Sequence, residues 1–133
     1  MSILSSVTQP GLEEIAAGTG HPKMYQLYVR GDPDVVDDYV RRAVDNGYDS
    51  FCLTVDTAIY SRRERDIVKR FVPPARRAAA GMEFQAGLTW DLVDRVKSTC
   101  AVPLALKGIA TAEDARLAVE HGVDVVYISN HGG

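Results

Sequence analysis

The chain has 133 residues, 46% of them hydrophobic and 25% charged, with a net charge of −3. That balance suits one soluble domain with a real core, or a piece of one, and excludes a chain that draws nucleic acid by bulk charge. No apolar run approaches the roughly 20 residues of a membrane span, and "MSILSSVTQPGLEE" has no basic start followed by a long apolar stretch, so neither a membrane span nor a secretory signal is expected.

In chain order, "SILSS" reads as a short strand and "GLEEIAA" as a helix. "KMYQLYV" is a strand. In "GDPDVVDDYVRRAVDNG", Asp32 suits the N-cap, Pro33 the first helical position and Gly47 the stop, while Val35, Val36, Tyr39, Val40 and Ala43 follow helical spacing. "SFCLTVD" is the third strand, "LTWDLVDRVKSTC" a helix capped by Thr89, and "VPLALK" the fourth strand. "TAEDARLAVEHG" is a helix from Thr111 to Gly122, and "DVVYIS" the fifth strand. Alternating strands and helices imply parallel strands joined by crossovers. Strand starts recur about every 21 to 26 residues, save one gap of about 53 that holds a helix and a long insertion at about 57–88. The fold class is α/β, either a doubly wound sheet or a barrel of (β/α) units, and at about half the ~250 residues of a full barrel it would be a partial one.

Residues two apart on a strand share a face. Met24, Gln26 and Tyr28 lie together, as do Cys52, Thr54 and Asp56, then Ala105 and Lys107, then Tyr127, Ser129 and His131. Each strand thus has one apolar face and one that turns polar at its C-terminal end. A strand buried on both sides reads as continuously apolar, and a charged group there is costly unless paired or functional. In parallel α/β proteins the site lies at those C-terminal ends, so four polar endings imply one converging site. Cys52 and Cys100 form no C-x-x-C and read as free thiols of a reducing cytoplasm. His21 reads as solvated, His121 as a helix-end histidine suited to the dipole, and Trp90 as packing. No metal site is expected. Seven basic residues between Arg62 and Arg77 read as a solvated loop with one or two substrate-facing arginines, since no aromatics are interleaved as in a nucleic-acid patch.

"QLYV", "LTVDT" with "RRERDI" downstream, "LTWD…VPLALKGIATAEDARLAVEHGVD" and "SNHGG" together resemble the FMN-dependent α-hydroxy-acid dehydrogenase and oxidase family, which includes glycolate oxidase, lactate oxidase, L-lactate dehydrogenase and mandelate dehydrogenase. The resemblance runs through nearly the whole chain. It implies a TIM barrel, here about five βα units matching family strands 2 to 6, in one incomplete domain over residues 1–133, with FMN at the C-terminal mouth. His131 matches the active-site base, Asp56 the carboxylate that orients it, and Tyr28 the tyrosine that hydrogen-bonds the substrate. Arg63, with Arg62 beside it, matches a substrate-contacting arginine. Ser5, Gln26, Thr54 and Ser129 match flavin-contacting positions, and Lys107 the lysine beside the flavin N1 and C2 carbonyl.

The implied activity is oxidation of a small L-2-hydroxy acid to the 2-oxo acid, in a flavoprotein whose full-length form is expected to be a homo-oligomer in the cytoplasm. The family pattern continues after H-G-G with an arginine that binds the substrate carboxylate, whereas this sequence ends at Gly133. The chain is therefore expected to be a segment that alone binds FMN weakly and turns over nothing. Two alternatives stay open: an inactive or non-catalytic half-barrel completed by a partner chain, and FMN chemistry of another kind on a related barrel.

Overall fold

The computed structural model describes residues 1–29, 32–57, 64–71 and 88–131. Five strands, β1 (Ser2–Ser5), β2 (Lys23–Tyr28), β3 (Ser50–Thr54), β4 (Leu104–Ile109) and β5 (Val125–Ile128), alternate with helices α1 (Leu12–Gly18), α2 (Pro33–Asp45), α3 (Glu64–Val68), α4 (Trp90–Thr99) and α5 (Ala112–Glu120). The strands form one parallel sheet in the order β1-β2-β3-β4-β5. A doubly wound sheet reverses its strand order at a switch point; this one does not, which is the winding of a (β/α)8 barrel. Of the segment read as an insertion, only Thr57, residues 64–71 and Leu88 are among the described residues, and they include α3, which the sequence pattern did not suggest. Arg62 and Arg63 lie outside the described residues, as do Gly132 and Gly133.

The two faces of the sheet differ as the alternation implied. Tyr25, Leu27, Phe51, Leu53, Leu104 and Leu106 point to one side and pack with Val36, Val40, Ala43, Val93, Val96 and Ala118 of the helices. The other side holds a smaller cluster of Met24, Cys52 and Ala105. Tyr48 is buried and its hydroxyl donates to the Leu12 carbonyl at 2.9 Å, so its burial leaves no orphan donor. Charge pairs tie neighbouring helices: Arg42 of α2 to Glu13 of α1 at 2.6 Å, and Arg95 of α4 to Asp34 and Asp37 of α2 at 2.6 and 2.7 Å.

The helix ends follow local chemistry. Asp32 caps α2 by accepting from Val35 N at 3.2 Å, and Thr111 caps α5 by accepting from Asp114 N at 3.0 Å. Gly47 and Gly122, with φ of 69° and 70°, take the left-handed turn after each helix. Thr89 occupies the N-cap of α4, but its hydroxyl makes no capping bond; the turn is closed through its carbonyl, which accepts from Leu92 N and Val93 N. Among the described residues no helix is long and apolar enough to cross a membrane.

Leu53 is 0% exposed at the centre of the sheet. Leu53→Ala is expected to cost about 2–5 kcal/mol, read as a lower urea midpoint with an unchanged slope.

Candidate functional site

The β-ladder sets the site. Tyr28, Thr54, Lys107 and Tyr127 stand opposite one another across β2, β3, β4 and β5, so they form one row on one face. Ser5, Gln26, Cys52 and Ala105 form the row beneath. The upper row lies at the C-terminal ends of the strands. Just beyond those ends, Asp56 follows β3 and His131 follows β5.

The side chains meet at His131. Its Nδ1 lies 2.7 Å from Asp56 Oδ2, and its Nε2 lies 2.9 Å from the Tyr28 hydroxyl and 3.4 Å from Lys107 Nζ. The Asp56 side chain is 15% exposed and that of His131 is 32%. An ionised carboxylate only accepts, so the hydrogen of the neutral ring sits on Nδ1. That leaves the Nε2 lone pair facing Tyr28 and Lys107, both of which can donate. The arrangement presents a basic nitrogen at the open mouth of the strands, with its tautomer held from behind.

His131 has φ of 61°, in the left-handed region, and its N–H donates to Ser129 Oγ at 3.2 Å. Ser129, read from resemblance as a flavin contact, here props the backbone that carries the imidazole. Gln26 and Thr54, 5% and 1% exposed, are joined by a hydrogen bond from the Gln26 amide to the Thr54 hydroxyl. Ser5 is half-buried at the end of β1, in register with Gln26. Of the nine residues read as site residues, the structure gathers Tyr28, Asp56, Lys107, Ser129 and His131 around one imidazole. It places Thr54 in the row of Tyr28 and Lys107, and Gln26 and Ser5 in the row beneath, while Arg63 lies outside the described residues.

Two contributors were missed. Ser6 Oγ accepts from Tyr28 N at 3.1 Å, and Gly108 makes room for Asp56. The glycine directly after the strand read as "VPLALK" was the available signal for the second, since a glycine within a strand marks a bulge or a close approach. Elsewhere, His121 pairs with Asp94 at 2.7 Å and its ring stacks on Trp90 at 4.8 Å, a contact on the helical side of the sheet.

The family model described as "FMN-dependent dehydrogenase" matches residues 1–82 and 74–133, nearly end to end. The two stretches overlap between β3 and α4, where the insertion was read. Glycolate oxidase of Spinacia oleracea is 37% identical over 151 residues, covering 97% of this chain and 41% of the relative. Peroxisomal (S)-2-hydroxy-acid oxidase GLO4 of Oryza sativa subsp. indica is 35% identical, covering 98% and 41%. Among solved structures, mandelate oxidase with 3,3-difluoro-2-hydroxy-3-phenylpropionic acid superposes with a TM-score of 0.85 at 38% identity, covering 98% of this chain and 39% of that one. A mandelate oxidase variant with the C4a-OH-FMN adduct superposes with a TM-score of 0.84 at 37% identity, with the same coverage. The chain spans about two fifths of the length of the relatives it matches.

Burial pushes the Cys52 thiol, directly beneath the site row, from 9.0 up to about 11. A raised value means the folded state favours the neutral thiol. That contribution to stability is whole below about pH 9 and is lost as pH rises through about 11. At pH 8 in the folded chain, Cys52 is expected to react with a thiol reagent about 100-fold more slowly than a free cysteine, from its thiolate fraction alone. A Cys52→Ser variant identifies the slow phase.

Proposed function

We propose, from the premise that this chain belongs to the FMN-dependent dehydrogenase family, that the protein oxidises a small L-2-hydroxy acid to the 2-oxo acid with FMN as its electron acceptor. The observation that carries the reading is the imidazole of His131, bonded to Asp56 at Nδ1 and open toward Tyr28 at Nε2. The similarity to glycolate, (S)-2-hydroxy-acid and mandelate oxidases supports the substrate class.

The donor set at the strand ends suits the polar edge of a flavin. By inventory, Gln26 has a second amide N–H and a carbonyl beyond its bond to Thr54, and Thr54 has its own O–H to give. These groups alternate donors and acceptors beside an ammonium, as the edge of a pyrimidine ring requires. Gln26, Thr54, Ser5 and Ser129 would hold the ring, and Lys107 would stand by its N1 and C2 carbonyl. Bound there, FMN supplies a two-electron acceptor whose reduced form gathers negative charge near that edge.

This chain's residues would do the rest. His131 Nε2 takes the proton released by the substrate. Asp56 keeps the opposite nitrogen protonated and stabilises the imidazolium that forms. Tyr28 donates to substrate oxygen from the same mouth. Lys107 offsets charge that develops at the cofactor edge, from a fixed position that costs no reorganisation. Arg63 is proposed to contact the substrate, on resemblance alone. The free thiols of Cys52 and Cys100 suit the cytoplasm proposed as its compartment.

The test is anaerobic bleaching of the flavin absorbance by glycolate or L-lactate, in protein that carries this sequence together with the length its relatives add. His131→Gln is expected to abolish bleaching while leaving flavin bound. Asp56→Asn should slow it by about 10²–10⁴-fold. Lys107→Met should weaken FMN binding as well as slow reduction. A His131→Gln protein that bleaches within about tenfold of the parent overturns the assignment.

A further inference from the structure

Gly108 sits in β4 directly after Lys107, with φ of 113°, a backbone that L side chains rarely adopt. The β4–β5 ladder shifts register between Lys107 and Ile109, so Gly108 is the residue at an irregularity in an otherwise even parallel pair. On its other side the strand stays tied to β3, where Val55 N donates to the Lys107 carbonyl at 2.9 Å.

The hollow left by the missing side chain is occupied by Asp56. A Cβ placed on Gly108 falls 2.5 Å from Asp56 Cγ, 2.6 Å from its Cβ and 2.7 Å from Oδ1. Real Cβ atoms essentially never approach so closely, and the obstacle is the root of a short side chain, which has little freedom to swing away. Oδ2 is the oxygen bonded to His131 Nδ1, while the buried Oδ1 faces Gly108 and has no hydrogen-bond partner among the described residues. Among the described residues nothing bonded to Oδ1 orients the carboxylate from behind. Two features among the described residues bear on its position: the bond to His131 in front and the space over Gly108 at its back.

We infer that Gly108 is a positioning residue: its absent side chain and left-handed backbone let the Asp56 carboxylate sit against His131 Nδ1 and so fix which nitrogen of that ring is basic. Its bearing on catalysis rests on the proposed role of His131, but the placement of Asp56 does not. The same bulge keeps Lys107 in the Thr54 row while β4 continues to Ile109, so one glycine serves both charged groups.

The experiment reads the ring itself. In the 15N-labelled chain, long-range proton–nitrogen spectra report which nitrogen of each neutral histidine carries hydrogen, and loss of signal in His131→Gln assigns that ring among the three histidines. The wild-type chain is expected to carry the His131 hydrogen on Nδ1. Gly108→Ala is expected to lose that signature as fully as Asp56→Ala does, with the amide spectrum of β1 to β3 unchanged. Adding Gly108→Ala to Asp56→Gly, which removes the Cβ as well as the carboxylate, should move the His131 signals no further, because the two act through one contact. Retention of the Nδ1 signature in Gly108→Ala overturns the inference. If Gly108→Ala alone does not fold, Gly108→Ala with Asp56→Gly lacks both the Cβ and the carboxylate it collides with and should fold; a double variant that also fails overturns the inference, because the glycine then serves the backbone alone. Absence of flavin bleaching, with these spectra as expected, would instead count against the oxidase reading only.

Discussion

The register between β3 and β4 is the constraint on which the rest depends. It sets Thr54 opposite Lys107 and carries the chain onward so that Asp56 passes over Gly108. Side chains on a strand alternate, so a slip of one residue would send Lys107 into the apolar helix layer and Leu106 into the site. The pairing cannot slip without burying an ammonium beside Leu53 and Val96, which is far costlier than any single hydrogen bond gained. The polar row is thus placed by the apolar row behind it. The core and the site are two readings of one alternation, and neither can be altered alone.

The same alternation made much of the fold legible. The order of strands and helices, the caps at Asp32 and Thr111, and the stops at Gly47 and Gly122 are local signals, and each appears where the residue types called for it. Thr89 shows the limit of such signals: the residue type suits a cap, but the hydroxyl is not used. The faces of the strands were legible because a period of two is hard to mistake when Gln26, Thr54 and Lys107 interrupt apolar runs. What local pattern could not give was lateral order. Whether the sheet is singly or doubly wound depends on which strands become neighbours, and that is decided by long-range pairing. The contacts to Ser6 and the hollow over Gly108 were likewise hidden, because both depend on distances between separate strands.

At the imidazole, geometry and charge agree. A carboxylate lies behind one nitrogen, and two donors stand before the other. An acceptor on Nδ1 and donors on Nε2 suit only one neutral tautomer. The left-handed turn at His131, held by Ser129, swings the ring back over the strand ends. The partly exposed ring keeps one side toward solvent, where a small molecule can approach.

Each unit of this sheet is joined to its sequence neighbours: strand to adjacent strand, α1 to α2 through Arg42, α2 to α4 through Arg95, and α4 to the start of β5 through Lys97 and Asp124. Asp56 follows β3 and His131 follows β5, so the pair reaches across two strands that are not neighbours, with β4 between them. Its geometry therefore gauges the lateral spacing of three strands at once: a shift of β4 at Gly108 changes the distance between the imidazole and its carboxylate even where neither residue is altered.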